Sequence, residues 1–98
     1  MTEVKKKRAG KGDVFIGNKI FMNYVTGVVM QLNSGVDEVC VKARGKYISK
    51  AVDVVEVVRS RFIQDTVVKN IEIGSDSFDG DDGRKIHIST IEIALTKK

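Results

Sequence analysis

The stretch VKARGKYISKAVD (residues 41–53) contains the change from strand to helix around which this chain is organised. Residues 39–41, which lead into this stretch, are β-forming and apolar, whereas apolar residues after Ser49 recur at helical spacing. Between the two patterns lie Arg44, Gly45 and Lys46, and glycine tolerates the positive φ angle that a tight turn requires. We therefore predict a strand, a tight turn and a helix in immediate succession.

The predicted turn is strongly basic. It brings together four cationic side chains, Lys42, Arg44, Lys46 and Lys50. The start of the following helix adds unpaired N–H groups and the positive end of the helix dipole, and both favour anions. This arrangement predicts a polyanionic ligand. Solvated loop charges without any ligand explain this stretch, taken alone, equally well.

Length and charge narrow the class of protein. The 98 residues predict one domain, small enough for pairing with a second copy to add stability. There are 17 Lys and Arg against 13 Asp and Glu, a net charge of +4. Residues 1–50 hold ten basic and four acidic residues (+6), whereas residues 51–98 hold seven and nine (−2). This concentration of positive charge in the first half suits a nucleic-acid partner for that half.

The N-terminal residues 1–12 are polar and contain four contiguous cations at positions 5–8, so we predict a flexible basic tail before a single domain at 13–98. No apolar run is long enough to span a bilayer or to form a signal peptide, which predicts a cytoplasmic protein. Cys40 is the only cysteine and lies in an apolar run, where a buried thiol is expected.

The rest of the chain predicts alternating strands and helices. We expect a strand at 14–16, a helix at 20–33 with one apolar face, a strand at 38–43 and a helix at 49–62. Gly27 suggests close packing of the first helix. Two long strands follow, joined by a loop rich in Ser, Asp and Gly, with a bulge near Ser89 and Thr90 where the apolar parity changes. The predicted fold is α/β (an α+β two-layer sandwich): a mixed four-stranded sheet, two helices on one face and a long terminal β-hairpin arm.

Several segments resemble the Alba family of archaeal chromatin proteins: VFIGNKIFMNYV (14–25), VKARGKYISKAVDVVEVVRSRF (41–62), IGS (73–75), DGR (82–84) and STIEIAL (89–95). The resemblance implies the same order of elements, a homodimer with further assembly on nucleic acid, and a chromosome-associated protein. It also implies binding to double-stranded DNA without sequence preference, with coating and compaction of DNA, and binding to RNA. The alternative is a protein that binds primarily RNA.

The resemblance also implies functional residues. Asn18 stands where the family has an acetylatable lysine, so that switch is absent at this position, and Phe62 matches a residue that contacts neighbouring dimers. The acidic hairpin loop opposes contact between the arm and phosphate, so such contact depends on Arg84 and Lys85. The predicted nucleic-acid-binding set is Asn18, Lys19, Tyr24, Lys42, Arg44, Lys46, Lys50, Arg84 and Lys85.

No enzymatic activity, metal or other cofactor is predicted. His87 is the only histidine and has no titratable partner placed beside it by any motif. The Asp cluster at 79–82 lacks the ligand spacing of a calcium loop, and residues 10–13 lack that of a phosphate loop. Tyr47, within the basic turn, either stacks on a base or covers the start of the helix.

Overall fold

The computed structural model describes residues 11–98. Four strands and two helices follow one another as β1 (Lys11–Phe15), α1 (Phe21–Asn33), β2 (Glu38–Arg44), α2 (Ile48–Val57), β3 (Thr66–Asp79) and β4 (Lys85–Lys97). A 3-10 turn, Gly45–Tyr47, joins β2 to α2, and a π-helical turn, Val58–Phe62, continues α2. The predicted fold is therefore confirmed, including the mixed four-stranded sheet and both helices.

The sheet has the strand order β1-β2-β4-β3. β1 and β2 are parallel, whereas β4 runs antiparallel to both of its neighbours, β2 and β3. Arg44, the last residue of β2, pairs with Thr90 of β4. Beyond that level β3 and β4 continue as a two-stranded arm of five further residue pairs, from Ser75–Ser89 to Asp79–Lys85. The arm thus extends past the end of the sheet at which β2 turns into α2.

The core lies between the two helices and one face of the sheet. Alternation along the strands selects that face, because successive side chains of a strand point to opposite sides. The buried apolar side chains include Val39, Val41, Ala43, Ile93 and Leu95 from the sheet and Val25, Val28, Leu32, Ala51, Val54 and Val55 from the helices. The opposite face of the sheet carries no helix within the described residues. We call it the open face; Phe15, Lys42 and Arg44 belong to it.

Three details of the sequence prediction were wrong. β1 begins at Lys11, so Lys11 and Gly12 belong to the sheet and not to the tail; residues 1–10 of the predicted tail lie outside the described residues. A Cβ added at Gly27 would meet no atom of another element of the described chain within 4 Å, so close packing within the subunit does not explain this glycine. The register irregularity lies between Val68 and Asn70, while the pairs at Ser89 and Thr90 are regular.

The helix ends fit their sequences. Gly35, just after α1, has φ +96°, the left-handed conformation that glycine adopts without strain. At the end of α2 the Ile63 N–H donates to the Val58 carbonyl at 2.8 Å, which closes the π-helical turn. None of the helices in residues 11–98 has both the length and the apolar composition needed to cross a membrane.

Candidate nucleic-acid interface

Two chain segments, the loop after β1 and the turn after β2, meet at the end of the sheet from which the arm projects. The Ile16 N–H donates to the Lys42 carbonyl at 2.9 Å and extends the β1–β2 ladder to the start of the loop that leads into α1. The turn after β2 lies at the same end, because β1 and β2 are parallel and end together. Residues that are distant in sequence, such as Lys19 and Lys46, therefore share one end of the molecule.

The turn itself depends on Gly45. Its φ angle is +54°, which L-residues with a side chain adopt only with strain. This conformation ends β2 at Arg44 and starts the 3-10 turn, so that Arg44 and Lys46 are both exposed. The ammonium of Lys46 lies 5.4 Å from the centroid of the Tyr47 ring. The tight basic turn predicted from the sequence is present.

Lys50 and Tyr24 hold the loop between β1 and α1 against the start of α2. The Lys50 ammonium donates to the carbonyl oxygens of Gly17 at 2.6 Å and Lys19 at 2.8 Å. The Tyr24 hydroxyl oxygen accepts hydrogen bonds from the N–H groups of the same two residues, at 2.9 and 3.1 Å. The Lys50 ammonium also lies 5.0 Å from the centroid of the Tyr24 ring, a cation–π contact. We call this arrangement the loop clasp.

The loop clasp gives Lys50 and Tyr24, two residues of the predicted binding set, contacts within the subunit. The ammonium of Lys50 is occupied by backbone carbonyls, and the Tyr24 hydroxyl by backbone amides. Both side chains fix the backbone on either side of Asn18, whose side chain is exposed, as is that of Lys19. The sequence placed Lys50 correctly beside the turn but gave no sign of its contact with a loop 31 residues earlier.

Two other predicted cations are paired with carboxylates on the open face. The Lys42 ammonium lies 3.7 Å from a carboxylate oxygen of Asp13, and Arg44 Nε lies 3.5 Å from Asp76 of the arm. The side chains of Arg44 and Asp76 are more than half exposed, so water screens their attraction. By contrast, Lys46 has no carboxylate within ion-pair distance among residues 11–98.

The cations of the arm lie apart from the basic turn. Arg84 Nε lies 3.0 Å from Asp82, and the Lys85 ammonium lies 3.2 Å from Asp79. All four side chains are well exposed at the tip of the arm. The arm tip is thus a set of surface ion pairs with a net charge of −1, because three aspartates at positions 79, 81 and 82 outnumber Arg84 and Lys85.

Comparisons with known proteins agree with this architecture. The sequence model of the Alba family matches residues 12–75, from the second residue of β1 to Ser75 in β3. The chain belongs to the Alba family. It is 51% identical over 88 residues to DNA/RNA-binding protein Alba 1 of Archaeoglobus fulgidus, covering 90% of this chain and 98% of that protein. It is 53% identical over 85 residues to DNA/RNA-binding protein Alba of Methanococcus maripaludis, covering 86% and 96%.

Solved structures of Alba proteins share the fold. Alba from Thermoplasma volcanium superposes with a TM-score of 0.81 at 42% identity, covering 88% of this chain and all of that one. ALBA1 from Trypanosoma brucei superposes with a TM-score of 0.72 at 30% identity, covering 88% and 68%. The resemblance drawn from the sequence segments is therefore confirmed for both family and fold.

The sequence also missed aromatic side chains beside the Alba basic turn. Phe15 at the end of β1 and Phe78 on the arm line the same surface depression as Tyr47, although they are far apart in sequence. Phe15 is 69% exposed, and the Lys42 ammonium lies over its ring, 5.5 Å from the centroid. Local patterns gave no signal for this grouping, because only strand pairing and the direction of the arm create it.

Two remaining groups offer no catalytic or metal site. Cys40 is half-buried, whereas the sequence predicted a buried thiol. Burial raises the pKa of this thiol, and the nearby charge of Glu38 raises it further, which lowers the fraction of reactive thiolate. His87 is exposed on β4, within the arm. No cluster of three or more His, Cys, Asp or Glu side chains suited to a metal ion occurs in the part of the chain that the structure describes.

Proposed function

We propose that this chain binds double-stranded DNA without sequence preference, coats and compacts it as a chromatin protein, and also binds RNA. The carrying observation is the exposed basic edge at which Lys19, Arg44 and Lys46 share one end of the molecule. The names of the two archaeal relatives, DNA/RNA-binding protein Alba 1 and DNA/RNA-binding protein Alba, support this reading.

Phosphate contacts supply the affinity in this proposal. The exposed cations Lys19, Arg44 and Lys46 meet the backbone of the duplex, and release of counterions drives the association. With about three or four such contacts per subunit, the slope of log affinity against log salt is on the order of −5 to −7 for a dimer. Phosphate contacts carry no sequence information, so little sequence preference follows.

A homodimer is the working unit that we propose. Ile71 and Ile73 on β3 are 54% and 83% exposed and lie on the same face of the sheet as the core, beyond the area that the helices cover. Exposed apolar residues of this size grouped on one strand favour contact with a second copy. Two copies also double the phosphate contacts.

Phe62 lies at the far end of α2 from the basic turn and is 51% exposed. We propose that it makes lateral contacts between dimers on nucleic acid. Phe62→Ala then leaves binding of a single dimer largely unchanged and reduces the cooperativity of coating, measured by titration of long and short duplexes. Dissociation or unfolding of the dimer in this variant shows that Phe62 instead supports the subunit itself.

This function requires no catalysis and no cofactor. We propose association with the chromosome in the cytoplasm as the cellular setting. A primarily RNA-binding protein is the second candidate, because phosphate contacts serve an A-form helix as well. Competition between duplex DNA, duplex RNA and single strands of matched length ranks these partners.

The test is an electrophoretic titration of duplex DNA at about 50 and about 200 mM salt. A variant with Arg44→Gln and Lys46→Gln loses affinity and has a shallower salt dependence than the parent chain. The matched control removes two cations at the opposite end of the molecule, Arg59→Gln in the π-helical turn and Lys97→Gln on β4, and keeps the affinity of the parent chain. An affinity that hardly responds to salt, or equal losses in both variants, contradicts the proposal.

A further inference from the structure

The open face of the sheet carries a depression between the basic turn and the arm. Its volume is about 850 Å³, within the range of about 300–1,000 Å³ typical of small-ligand sites. Aromatic rings from three separate elements line it: Phe15 from β1, Tyr47 from the turn and Phe78 from the arm. Lys42, Arg44 and Lys46 line it as well. We call it the aromatic groove.

We propose that the aromatic groove binds an unpaired base of a single-stranded nucleic acid, with the base stacked on Phe15. This inference rests on the proposed function and adds a ligand class and a site to it. Proteins that bind single strands combine a basic groove for the backbone with aromatic rings on which bases stack. The aromatic groove has both components within one face of the sheet.

Phe15 is placed to act as the stacking platform. Its neighbour Val14 packs against the core, so alternation along β1 directs Phe15 to the open face. Phe15 is 69% exposed and is not part of the core of the described chain. The Lys42 ammonium lies over one face of the ring, 5.5 Å from its centroid, so a stacked base takes the other face of the ring or displaces the ammonium.

The charges of the groove favour stacking as the main source of its affinity. Three cations line it, but Asp76 and Glu92 line it too, and Asp76 is already paired with Arg44 at 3.5 Å. The net charge of the lining is therefore only +1 (three minus two). A site with little excess charge attracts phosphate weakly, so a base with an accessible π face fits it better than a duplex, whose bases are already stacked.

The test compares Phe15→Leu with the parent chain on labelled single strands and on duplexes of the same length. Leucine keeps an apolar side chain on β1 but removes the π face. Loss of base stacking weakens single-strand binding by about tenfold, while duplex binding changes by less than about twofold and the salt slope stays the same. Phe15→Trp retains single-strand affinity. Met30→Leu, which alters an exposed apolar residue of α1 outside the aromatic groove, leaves single-strand affinity unchanged.

A spectroscopic readout isolates stacking from charge. A single strand containing 2-aminopurine loses fluorescence when that base stacks on a ring, so the parent chain quenches it and Phe15→Leu does not. Unchanged quenching and unchanged affinity in Phe15→Leu overturn the inference. An equal loss on single strands and duplexes also overturns it, because Phe15 then serves binding in general.

A change of oligomeric state in Phe15→Leu, measured by light scattering, overturns the inference as well, since a protein surface then covers the groove. These outcomes differ from failure of the proposed function. If the parent chain binds neither duplex nor single strands at low salt, the proposed function fails; if it binds both while Phe15→Leu behaves identically, only the groove assignment fails.

Discussion

Replacement of Lys50 by glutamine separates two roles that the sequence could not distinguish. The resemblance to Alba proteins predicts that Lys50 contacts nucleic acid, whereas its ammonium donates to the carbonyls of Gly17 and Lys19 at 2.6 and 2.8 Å. A phosphate contact affects binding and its salt dependence. A clasp of the loop affects the stability of the folded chain first. We expect Lys50→Gln to lower stability.

The expected magnitude follows from these two hydrogen bonds. Hydrogen bonds that involve a charged group contribute about 1.5–3 kcal/mol each. The bond to Gly17 is half-buried and the bond to Lys19 is exposed, so we count about 2 kcal/mol for the pair, below the full sum. For a domain of this size, 1 kcal/mol corresponds to about 4–8 °C in the melting temperature, and Lys50→Gln therefore lowers it by about 8–16 °C.

The assay is thermal unfolding followed by circular dichroism, at one fixed protein concentration because dimers melt in a concentration-dependent way. Lys46→Gln is the matched control: it removes the same charge four residues earlier, but its ammonium donates to no carbonyl among the described residues. We expect its melting temperature to change by less than about 4 °C. Its salt slope should become shallower by about 0.9 per subunit. An unchanged melting temperature in Lys50→Gln, together with the slope change of the control, would falsify the clasp.

Three further results follow from individual contacts. Asp76→Asn releases Arg44 for phosphate, so affinity at low salt rises and the salt slope steepens by up to about 0.9 per subunit, while the melting temperature hardly changes because the pair is exposed. Gly45→Ala forces a side chain into φ +54° and lowers stability by about 1–2 kcal/mol. Gly27→Ala, with open space at its Cβ position, raises stability by about 0.5–1 kcal/mol through helix propensity. The two variants should therefore shift the melting temperature in opposite directions, and shifts in the same direction refute this explanation of the two glycines. Alkylation of Cys40 near the ordinary thiol pKa of about 8.5 is slower in the folded chain than in urea, because the folded-state pKa is raised and less thiolate forms; equal rates contradict this.

The local patterns predicted most of the fold for a physical reason. Helix and strand periods depend on which side chains face the core, and the core of this chain is formed by one face of each element. The bulge predicted at Ser89 and Thr90 is absent, and its absence shows a limit of inferring register from the apolar pattern. The side chains of Ile88 and Ile91 point to opposite faces of β4. Ile91 packs against the core, whereas Ile88 lines the aromatic groove on the other face. The apolar residues of β4 therefore move from one face of the strand to the other without the bulge that we predicted at Ser89 and Thr90.

The candidate site was only partly predictable, because its charges are set by pairing across long sequence distances. A list of cations treats Arg44 and Lys46 as equals, yet Arg44 already holds Asp76, 32 positions later, at 3.5 Å. A phosphate must compete with that carboxylate for Arg44 but meets no such competitor at Lys46 within residues 11–98. The net gain from a phosphate contact is thus larger at Lys46. Single substitutions to glutamine should weaken DNA binding more at Lys46 than at Arg44, and Asp76→Asn should remove the difference; the reverse order would show that the bidentate geometry of arginine outweighs its pairing.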